Sequence, residues 1–518
     1  MTFNSLPFML FFPIVLIGYF TSRKIGGKIG ENMRWIFLLV CSYFFYMYSQ
    51  WKLVVLILFT TIVSWICSLI IENLNLKLQK AEAEGAADDA LKRKIKAQKN
   101  LCIVLTLVAS LGVLFYFKYI YFITDSIAGV VNFFTKGNFS FNIGEVLLPV
   151  GISFYTFQTL SYAIDVYRGD IKTERHFGYY ALFVSFFPQL VAGPIERPGN
   201  LLPQLKEAPP VYRDDVERGI RKLTVGFFKK LVVADLLSVY VNSIYNGIDA
   251  GTAYVPALGV IIATVMFAAQ IYCDFSGYTD IAIGCARIMG IRLMKNFDHP
   301  YSAKTVREFW GRWHISLSTW FRDYIYFPLG GSRTKKWKHL RNVAIVFLIS
   351  GLWHGAAWTF VIWGAIHAIY QIIGILTLPL RDRLLTKCHL DPKGKLVGIV
   401  RCAVTFILVD FAWLFFRANS TSDMVVLLRS LFTGAAWNVS FGSVMATLGM
   451  TEVGVIITAL SLCMLWLLDR TVGHGDEPDR SKALFSRYTV ILVAWCVMLA
   501  WTILMTHDLG STFIYFQF

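Results

Sequence analysis

The chain has 518 residues, of which 56% are hydrophobic and 16% charged, and its formal net charge at pH 7 is +16. This composition is too apolar for a soluble protein of this length, and repeated apolar runs of roughly 17–25 residues predict membrane-spanning helices. Lys and Arg cluster in the turns between the runs, as in cytoplasmic loops of membrane proteins, which argues against nucleic-acid binding. We therefore expect an all-α polytopic membrane protein.

The apolar runs predict about ten transmembrane crossings in one membrane domain that covers residues 1–518, with both chain termini outside the cytoplasm. The first run precedes Arg23 and Lys24, so it is predicted to be a retained helix and not a cleaved signal peptide. The predicted crossings are residues 6–20, 35–48, 53–71, 101–122, 146–167, 223–245, 255–272, 398–416, 449–468 and 488–505.

Four other segments are not predicted to cross. Residues 72–100 are rich in Ala, Lys and Glu, and they predict a cytoplasmic loop that is either an amphipathic helical hairpin or simply solvated. Residues 177–191 are apolar but short, and they predict a re-entrant hairpin. Residues 296–373 predict a re-entrant core with the candidate catalytic residues, and residues 507–518 predict an extracytoplasmic tail.

His354 is the first candidate catalytic residue, because it lies at the break between two apolar arms, residues 341–350 and 356–373. Desolvation at membrane depth keeps an imidazole neutral, and a neutral imidazole can act as a general base that activates a hydroxyl for acyl transfer. Trp353 and Trp358 would exclude water and protect a reactive thioester. The alternative interpretation is a structural histidine that is hydrogen-bonded to a neighbouring helix.

His314 is the second candidate catalytic residue, and it follows Arg312 and Trp313 in the chain. It could orient an acyl group, polarise its carbonyl or stabilise an oxyanion, or it could be an interfacial residue beside lipid headgroups. Two histidines in one broken region indicate one site. No metal site is predicted, because HxxxH and HExxH spacings do not occur and Asp323 is the nearest plausible carboxylate.

Charged and polar residues in the same region are candidates for substrate binding. Cations near a cytoplasmic mouth would attract an anionic donor such as a nucleotide-bearing thioester, although a single Arg could equally anchor the chain at the membrane surface. The candidate substrate-binding residues are Asn296, Asp298, Trp310, Arg312, Trp313, Arg322, Asp323 and Trp353.

The C-terminal tail is unusual because it is aromatic to its last residue, Phe518. A tail outside the membrane is normally polar and frayed, so this one is expected to dock into protein or into the membrane interface. It could be an aromatic anchor, or the phenol of Tyr515 could accept a group from within the membrane.

The segment Trp310–Arg333 together with Trp353-His354-Gly355 resembles the membrane-bound O-acyltransferase family, in particular its bacterial alginate O-acetyltransferase branch. The resemblance extends to four further segments, Met1–Phe12, Gln270–Gly277, Lys295–Tyr301 and Asp410–Ala418. It implies a helical ring around a central funnel, with the family histidine at His354 and the second histidine of the bacterial branch at His314. The tail residues 513–518 also resemble the acyl-accepting motif of a small companion peptide of the related teichoic acid D-alanyl transferase.

The resemblance implies an enzyme that moves an acyl group from a cytoplasmic thioester, here acetyl-CoA, to an extracytoplasmic SGNH-type transferase. That partner would modify a polysaccharide or cell-wall polymer at the bacterial plasma membrane. No bound cofactor is expected, and membrane lipids are the remaining partners. Three alternatives stay open: D-alanyl transfer from a carrier protein, transport without covalent chemistry, and acyl transfer to a lipid.

Overall fold

The computed structural model describes residues 1–472 except residues 192, 250 and 390. Every regular element among these residues is helical, which confirms the predicted all-α class. The predicted last crossing at 488–505 and the tail at 507–518, with Tyr515, lie outside the described residues.

The chain divides into two compact units. The first unit contains Met1–Ile220 and Ala282–Met294. Its N-terminal helix starts at Leu6, where the Ser5 hydroxyl accepts a hydrogen bond from the backbone N–H of Phe8, a common way to satisfy a helix start. The helices that begin in this unit are α1 (Leu6–Ile25), α2 (Gly27–Gln50), α3 (Val54–Ala83), α4 (Asp89–Leu114), α5 (Ile120–Thr135), α6 (Ile152–Arg168), α7 (Phe177–Ser185), α8 (Phe187–Leu190), α9 (Pro198–Glu207) and α10 (Arg213–Phe227).

The second unit contains Arg221–Ile281 and the described residues from Lys295 onward, and it includes both candidate histidines. A π-helical segment, Phe228–Ala234, joins α10 to the next helix. The remaining helices are α11 (Asp235–Tyr245), α12 (Ala257–Ile288), α13 (Val306–Arg312), α14 (Ile315–Phe321), α15 (Lys336–His354), α16 (Trp358–Lys387), α17 (Lys395–Arg417), α18 (Thr421–Phe432), α19 (Gly434–Trp437), α20 (Phe441–Leu448) and α21 (Glu452–Val472).

Seven helical runs in the described residues are long and apolar enough to cross a membrane. This finding supports the polytopic class, and the count of about ten crossings stays a prediction. The run Gly27–Ala83 contains two helices, α2 and α3, with a short helical turn at Trp51–Leu53 between them. This agrees with the two separate crossings predicted at 35–48 and 53–71. The seven runs are Leu6–Ile25, Gly27–Ala83, Asp89–Thr135, Ala257–Ile288, Trp358–Leu378, Lys395–Arg417 and Glu452–Asp469.

Several predicted segments have different bounds in the structure. Residues 72–100 form the adjoining ends of α3 and α4 with a turn at 84–88, so this segment is a helical hairpin; its cytoplasmic placement stays a prediction. The apolar segment 177–191 contains two short, buried helices, α7 and α8. The helix predicted to end at Tyr272 continues as α12 to Ile288, because its carboxylates are paired with buried lysines.

Candidate active site

The helical hairpin of α15 and α16 positions His354, which is the last residue of α15. The two helices approach closely at Gly351 and Gly364. A Cβ at Gly351 would lie 2.4 Å from the carbonyl oxygen of Phe360, and a Cβ at Gly364 would lie 2.4 Å from that of Phe347. Only glycine allows the two backbones to pack this closely, as in other membrane helix pairs. These glycines therefore fix the end of α15 and with it His354.

Aromatic rings surround His354, which is 2% exposed. Its ring centroid lies 4.9 Å from that of Trp353, 5.0 Å from that of Trp363 and 5.5 Å from that of Phe416. All three rings are steeply inclined to the imidazole and present edge-to-face contacts. These rings cover most of the imidazole surface and limit the access of water to it.

His314 lies between α13 and α14 and is fully buried. It has a left-handed backbone with φ 44°, a conformation that costs a residue other than glycine about 1 kcal/mol and that is common at functional sites. Two backbone hydrogen bonds hold this turn: Ile315 N–H donates to the Asn296 carbonyl at 2.9 Å, and Asp298 N–H donates to the Arg312 carbonyl at 2.9 Å. The backbone of Asn296 and Asp298 is therefore hydrogen-bonded to the chain on both sides of His314.

The hydrogen bonds to the side-chain oxygen of Asn296 indicate which nitrogen of His314 carries the proton. Asn296 Oδ1 accepts hydrogen bonds from the backbone N–H and the hydroxyl of Ser316, at 3.3 and 2.9 Å. The third atom near this oxygen is Nδ1 of His314 at 3.1 Å, and it must donate because the oxygen has no proton. The lone pair of the neutral ring therefore lies on Nε2. Burial lowers the pKa of His314 to about 3, so this ring is neutral at physiological pH.

The two candidate histidines lie together. Their ring centroids are 6.3 Å apart, and the indole of Trp353 contacts both, at 5.6 Å from His314 and 4.9 Å from His354. Phe275 of α12 covers another side of His314 at 4.7 Å. We call His314, His354 and the rings of Phe275, Trp353, Trp363 and Phe416 the aromatic chamber.

A third buried histidine, His367, adjoins this chamber. Its Nδ1 accepts a hydrogen bond from Trp310 Nε1 at 3.2 Å, so the ring is neutral and carries its proton on Nε2. Its centroid lies 4.9 Å from that of Trp363. Neither His367 Nε2 nor Trp363 Nε1 has a hydrogen-bond partner among the described residues, although both atoms are buried. His367 was not among the predicted site residues, although an ionisable residue inside an apolar run is a signal that could have indicated it.

The candidate charged residues lie in partly exposed ion pairs. Arg312 pairs with Glu308 at 2.8 Å and also donates to the Ser302 hydroxyl at 3.2 Å. Asp298 pairs with Lys295 at 3.2 Å and with His299 at 3.0 Å, and Arg322 pairs with Asp323 at 2.8 Å. None of these bonds involves His314 or His354.

The tryptophans of the candidate set are buried. Trp313 is fully buried and stacks on Phe309 at 5.5 Å, and Trp310 and Trp353 are 8% and 4% exposed. In the described part of the chain, no group of three or more His, Cys, Asp or Glu side chains is arranged to hold a metal ion.

A second buried cluster lies in the same unit and consists of charged side chains. Lys229 contacts Asp280 at 3.0 Å and Asp469 at 2.9 Å, and both lysines of the pair Lys229–Lys230 are fully buried. Such charges persist in a protein interior only when they are paired and hydrogen-bonded. We call this cluster the ionic network: Lys222, Lys229, Lys230, Asp235, Asp274, Asp280 and Asp469.

The second unit is helical and buries two adjacent histidines, an arrangement that is suited to acyl transfer in a membrane protein. Comparison with known proteins supports this activity: residues 172–407 match the model of the MBOAT, membrane-bound O-acyltransferase family. The chain is 34% identical to the probable alginate O-acetylase AlgI of Pseudomonas putida over the whole of both chains. The chain belongs to the membrane-bound O-acyltransferase family, and it is a multi-pass bacterial membrane O-acyltransferase.

Two further relatives have other acceptors in their names. The peptidoglycan O-acetyltransferase of Helicobacter pylori is 32% identical, over 83% of this chain and 79% of that protein. The teichoic acid D-alanyltransferase of Bacillus subtilis is 28% identical, over 52% of this chain and 69% of that protein. The whole-chain match is thus to a probable O-acetylase, and the match to the D-alanyltransferase covers about half of the chain.

Proposed function

We propose that this enzyme moves an acetyl group from cytoplasmic acetyl-CoA across the membrane for O-acetylation of an exported polysaccharide or cell-wall polymer. The names of the relatives support this acceptor class, since they include a probable alginate O-acetylase and a peptidoglycan O-acetyltransferase. The observation that carries the chemistry is the pair of buried histidines with ring centroids 6.3 Å apart. A hydroxyl or an acyl carbonyl placed between them could reach both rings.

In this proposal His354 is the general base. It takes the proton of the accepting hydroxyl as the oxygen attacks the thioester carbonyl, so that a C–O bond forms and the C–S bond breaks. The imidazolium then returns the proton to the departing CoA thiolate. The rings of Trp353, Trp363 and Phe416 exclude water, which would otherwise hydrolyse the thioester.

His314 assists in this proposal through the lone pair on Nε2, which accepts a hydrogen bond and helps orient the attacking hydroxyl. Its Nδ1 donates to Asn296, so it cannot switch tautomer without breaking that bond. The developing oxyanion needs a donor, and the indole N–H of Trp363 is a buried donor beside His354. The donor enters between the partly exposed ion pairs of Arg312 and Arg322, in the re-entrant core of residues 296–373.

In this proposal the accepting hydroxyl is the phenol of Tyr515 in the extracytoplasmic tail, residues 507–518, so the products of the transfer are an acetyl ester of Tyr515 and free CoA. A phenol ester is a suitable relay, because phenolate is a better leaving group than a sugar alkoxide. An SGNH-type enzyme outside the membrane takes the group from Tyr515 and passes it to the polymer. This part of the proposal rests on the resemblance of residues 513–518 to the motif of an acyl-accepting peptide.

A second candidate function is D-alanyl transfer from a carrier protein, which the similarity to teichoic acid D-alanyltransferases favours. It uses the same histidines and differs in the donor. Acetyl-CoA alone would then give no acyl-enzyme, whereas a D-alanyl carrier protein would.

Mass spectrometry of the C-terminal peptide tests the proposal. Purified enzyme is incubated with acetyl-CoA beside a His354→Ala variant. We expect acetyl on Tyr515 in the wild type only. If both proteins carry the acetyl group, His354 is not the base. If neither does and a Tyr515→Phe enzyme still supports polymer acetylation from acetyl-CoA, the tyrosine relay is wrong and transfer to the partner is direct.

A further inference from the structure

A groove of about 930 Å³ lies between α16 and α17, at the start of α13. This volume is near the upper end of the roughly 300–1,000 Å³ that ligand sites in proteins occupy. The groove belongs entirely to the second unit, and none of its lining residues is part of the aromatic chamber. It is therefore a separate feature from the candidate active site.

Cations concentrate at one level of the groove. Arg381 lies six residues before the end of α16 at Lys387, and Arg401 lies six residues after the start of α17 at Lys395. With a rise of about 1.5 Å per residue, both are about 9 Å from the turn between the helices. Lys304 reaches the same level, because its ammonium would lie 3.4 Å from a Cβ at Gly398.

The charge of the groove is one-sided. Arg307 joins Lys304, Arg381 and Arg401 in the lining, and no acidic side chain is among the described lining residues. Lys304, Arg307 and Arg381 are exposed. A concave surface that is lined by several cations favours an anion.

Beyond the cations the groove is mainly apolar, with Tyr370, Gln371 and Thr405 as polar exceptions, and several of its apolar side chains are exposed. The sequence of α16 becomes charged at Arg381, directly after the apolar residue Leu380. On the far side of the arginines, Ile373, Leu378 and Val404 line the groove with 51%, 41% and 50% of their surface exposed. Gly374 leaves the groove open between them, because a Cβ there would meet no atom within 4 Å.

We propose that this groove binds one anionic glycerophospholipid of the cytoplasmic leaflet. Its phosphate lies against Arg307, Arg381 and their neighbouring cations, and one acyl chain follows Ile373, Leu378 and Val404. The cations favour an anionic headgroup, because each Lys or Arg near the membrane surface contributes about 1 kcal/mol to the attraction of anionic lipids. The apolar part of the groove favours a lipid over a free phosphate, because a phosphate would leave Ile373, Leu378 and Val404 uncovered.

The predicted orientation agrees with this occupant. The turn after α16 is basic and is predicted to be cytoplasmic, so the cations lie at the level of the anionic headgroups of that leaflet. The groove also includes Thr305 and Val306, at the start of the helix that carries Trp310. A bound lipid would consequently contact α13 as well as α16 and α17.

Native mass spectrometry of the purified full-length protein tests the proposal. The protein is titrated with phosphatidylglycerol or phosphatidylcholine of identical chains, and the apparent Kd is measured for each. We expect phosphatidylglycerol to bind more tightly. Arg307→Gln and Arg381→Gln should each weaken its binding about fivefold, the equivalent of about 1 kcal/mol per charge, and leave phosphatidylcholine unchanged. Arg383→Gln is the matched control, because Arg383 is exposed on the same helix and does not line the groove.

A second variant separates the groove from general surface charge. Gly374→Leu should weaken binding of both lipids, since a Cβ there meets no atom within 4 Å and the rest of the side chain would occupy the groove. Gly112→Leu on α4 is its control, because that position also has no neighbour within 4 Å. Equal affinity for the two lipids, or unchanged binding in the arginine and Gly374 variants, would overturn the proposal. Displacement of the lipid by acetyl-CoA or by inorganic phosphate, with the same dependence on Arg307 and Arg381, would also overturn it.

Discussion

The aromatic chamber and the ionic network are both buried in the second unit, and they hold ionisable side chains in opposite ways. The chamber surrounds His314 and His354 with aromatic rings, and burial keeps His314 neutral there. The network keeps Lys229 and Lys230 in contact with carboxylates at 2.7 to 3.0 Å. Helix α12 supplies residues to both, since Phe275 contacts His314 and Asp274 pairs with Lys230.

The two clusters differ in whether their ionisable groups can exchange a proton during a reaction. A neutral imidazole in a dry site can accept and return a proton within one reaction cycle. A lysine between two carboxylates cannot lose its proton without leaving buried charges uncompensated. We infer that the chamber performs the acyl transfer and that the network fixes α12 against the π-helical segment and α21. Substitutions in each cluster test whether the chamber is needed for catalysis and the network for stability.

The largest expected effect is on catalysis. His354→Gln should lower the rate of CoA release from acetyl-CoA about 10²–10⁴-fold, because the variant has no general base at that position. Glutamine is of similar size, so the fold should persist. The exposed His389 provides the control, and His389→Asn should retain the wild-type rate. A wild-type rate in His354→Gln would remove His354 from the mechanism.

The next effect is on stability. Lys230→Met leaves Asp235 and Asp274 buried without their cation, and should cost about 3–5 kcal/mol of unfolding free energy, measured in detergent. Combining it with Asp235→Asn and Asp274→Asn removes the uncompensated charge, so much of the stability should return. If the single variant is as stable as the wild type, the network does not hold the fold.

Asn296 tests the tautomer of His314. Asn296→Ala should lower kcat about 10–100-fold, as is typical when a partner that orients a functional histidine is removed. Asn296→Asp keeps an acceptor for Nδ1–H and should lose less activity. The ¹⁵N chemical shifts of labelled His314 report the tautomer directly, and a proton on Nε2 in the wild type would contradict the assignment.

The smallest effect is a pH dependence of stability. Because burial lowers the pKa of His314 to about 3, the folded state binds fewer protons than the unfolded state between that value and the ordinary pKa of about 6.5. Stability should therefore fall as pH falls through about 6.5, with a contribution from His314 of about 1.4 kcal/mol between pH 7.5 and 5.5. His314→Gln should lack this contribution. An identical pH slope in both proteins would show that His314 is not buried as a neutral ring.

The sequence predicted parts of the chamber and none of the pairs in the network. Trp353 was predicted to shield His354 and contacts it, whereas Trp358, which was also predicted to shield it, is 52% exposed, and Trp363 and Phe416 contact the imidazole. The break near Gly351–Gly355 predicted that His354 lies between two apolar arms, and in the structure His354 is the last residue of α15. The shared region of His314 and His354 also predicted their proximity. Both inferences rest on local patterns, namely glycines, apolar runs and ionisable residues within them.

The network and the partner of His314 depend on contacts that local patterns do not contain. Lys229 and Asp280 are 51 residues apart in the chain. Lys229 lies inside the predicted crossing 223–245 and Asp280 lies beyond the predicted crossing 255–272, so hydropathy does not indicate that they form a buried pair. For the same reason, α12 was predicted to end at Tyr272, before its carboxylates. Asn296 was predicted to line an entrance, and its bonds to His314 and Ser316 follow from a loop geometry that sequence alone does not specify.

One paired measurement tests most directly whether the chamber performs the acyl transfer and the network stabilises the fold. CoA release from acetyl-CoA and the midpoint of thermal unfolding are measured for His354→Gln and for Lys230→Met in the same detergent. We predict that His354→Gln loses activity with a nearly unchanged midpoint, and that Lys230→Met lowers the midpoint while its remaining folded fraction still releases CoA. A His354→Gln protein that releases CoA at the wild-type rate, or a Lys230→Met protein that is fully stable but inactive, would contradict the account.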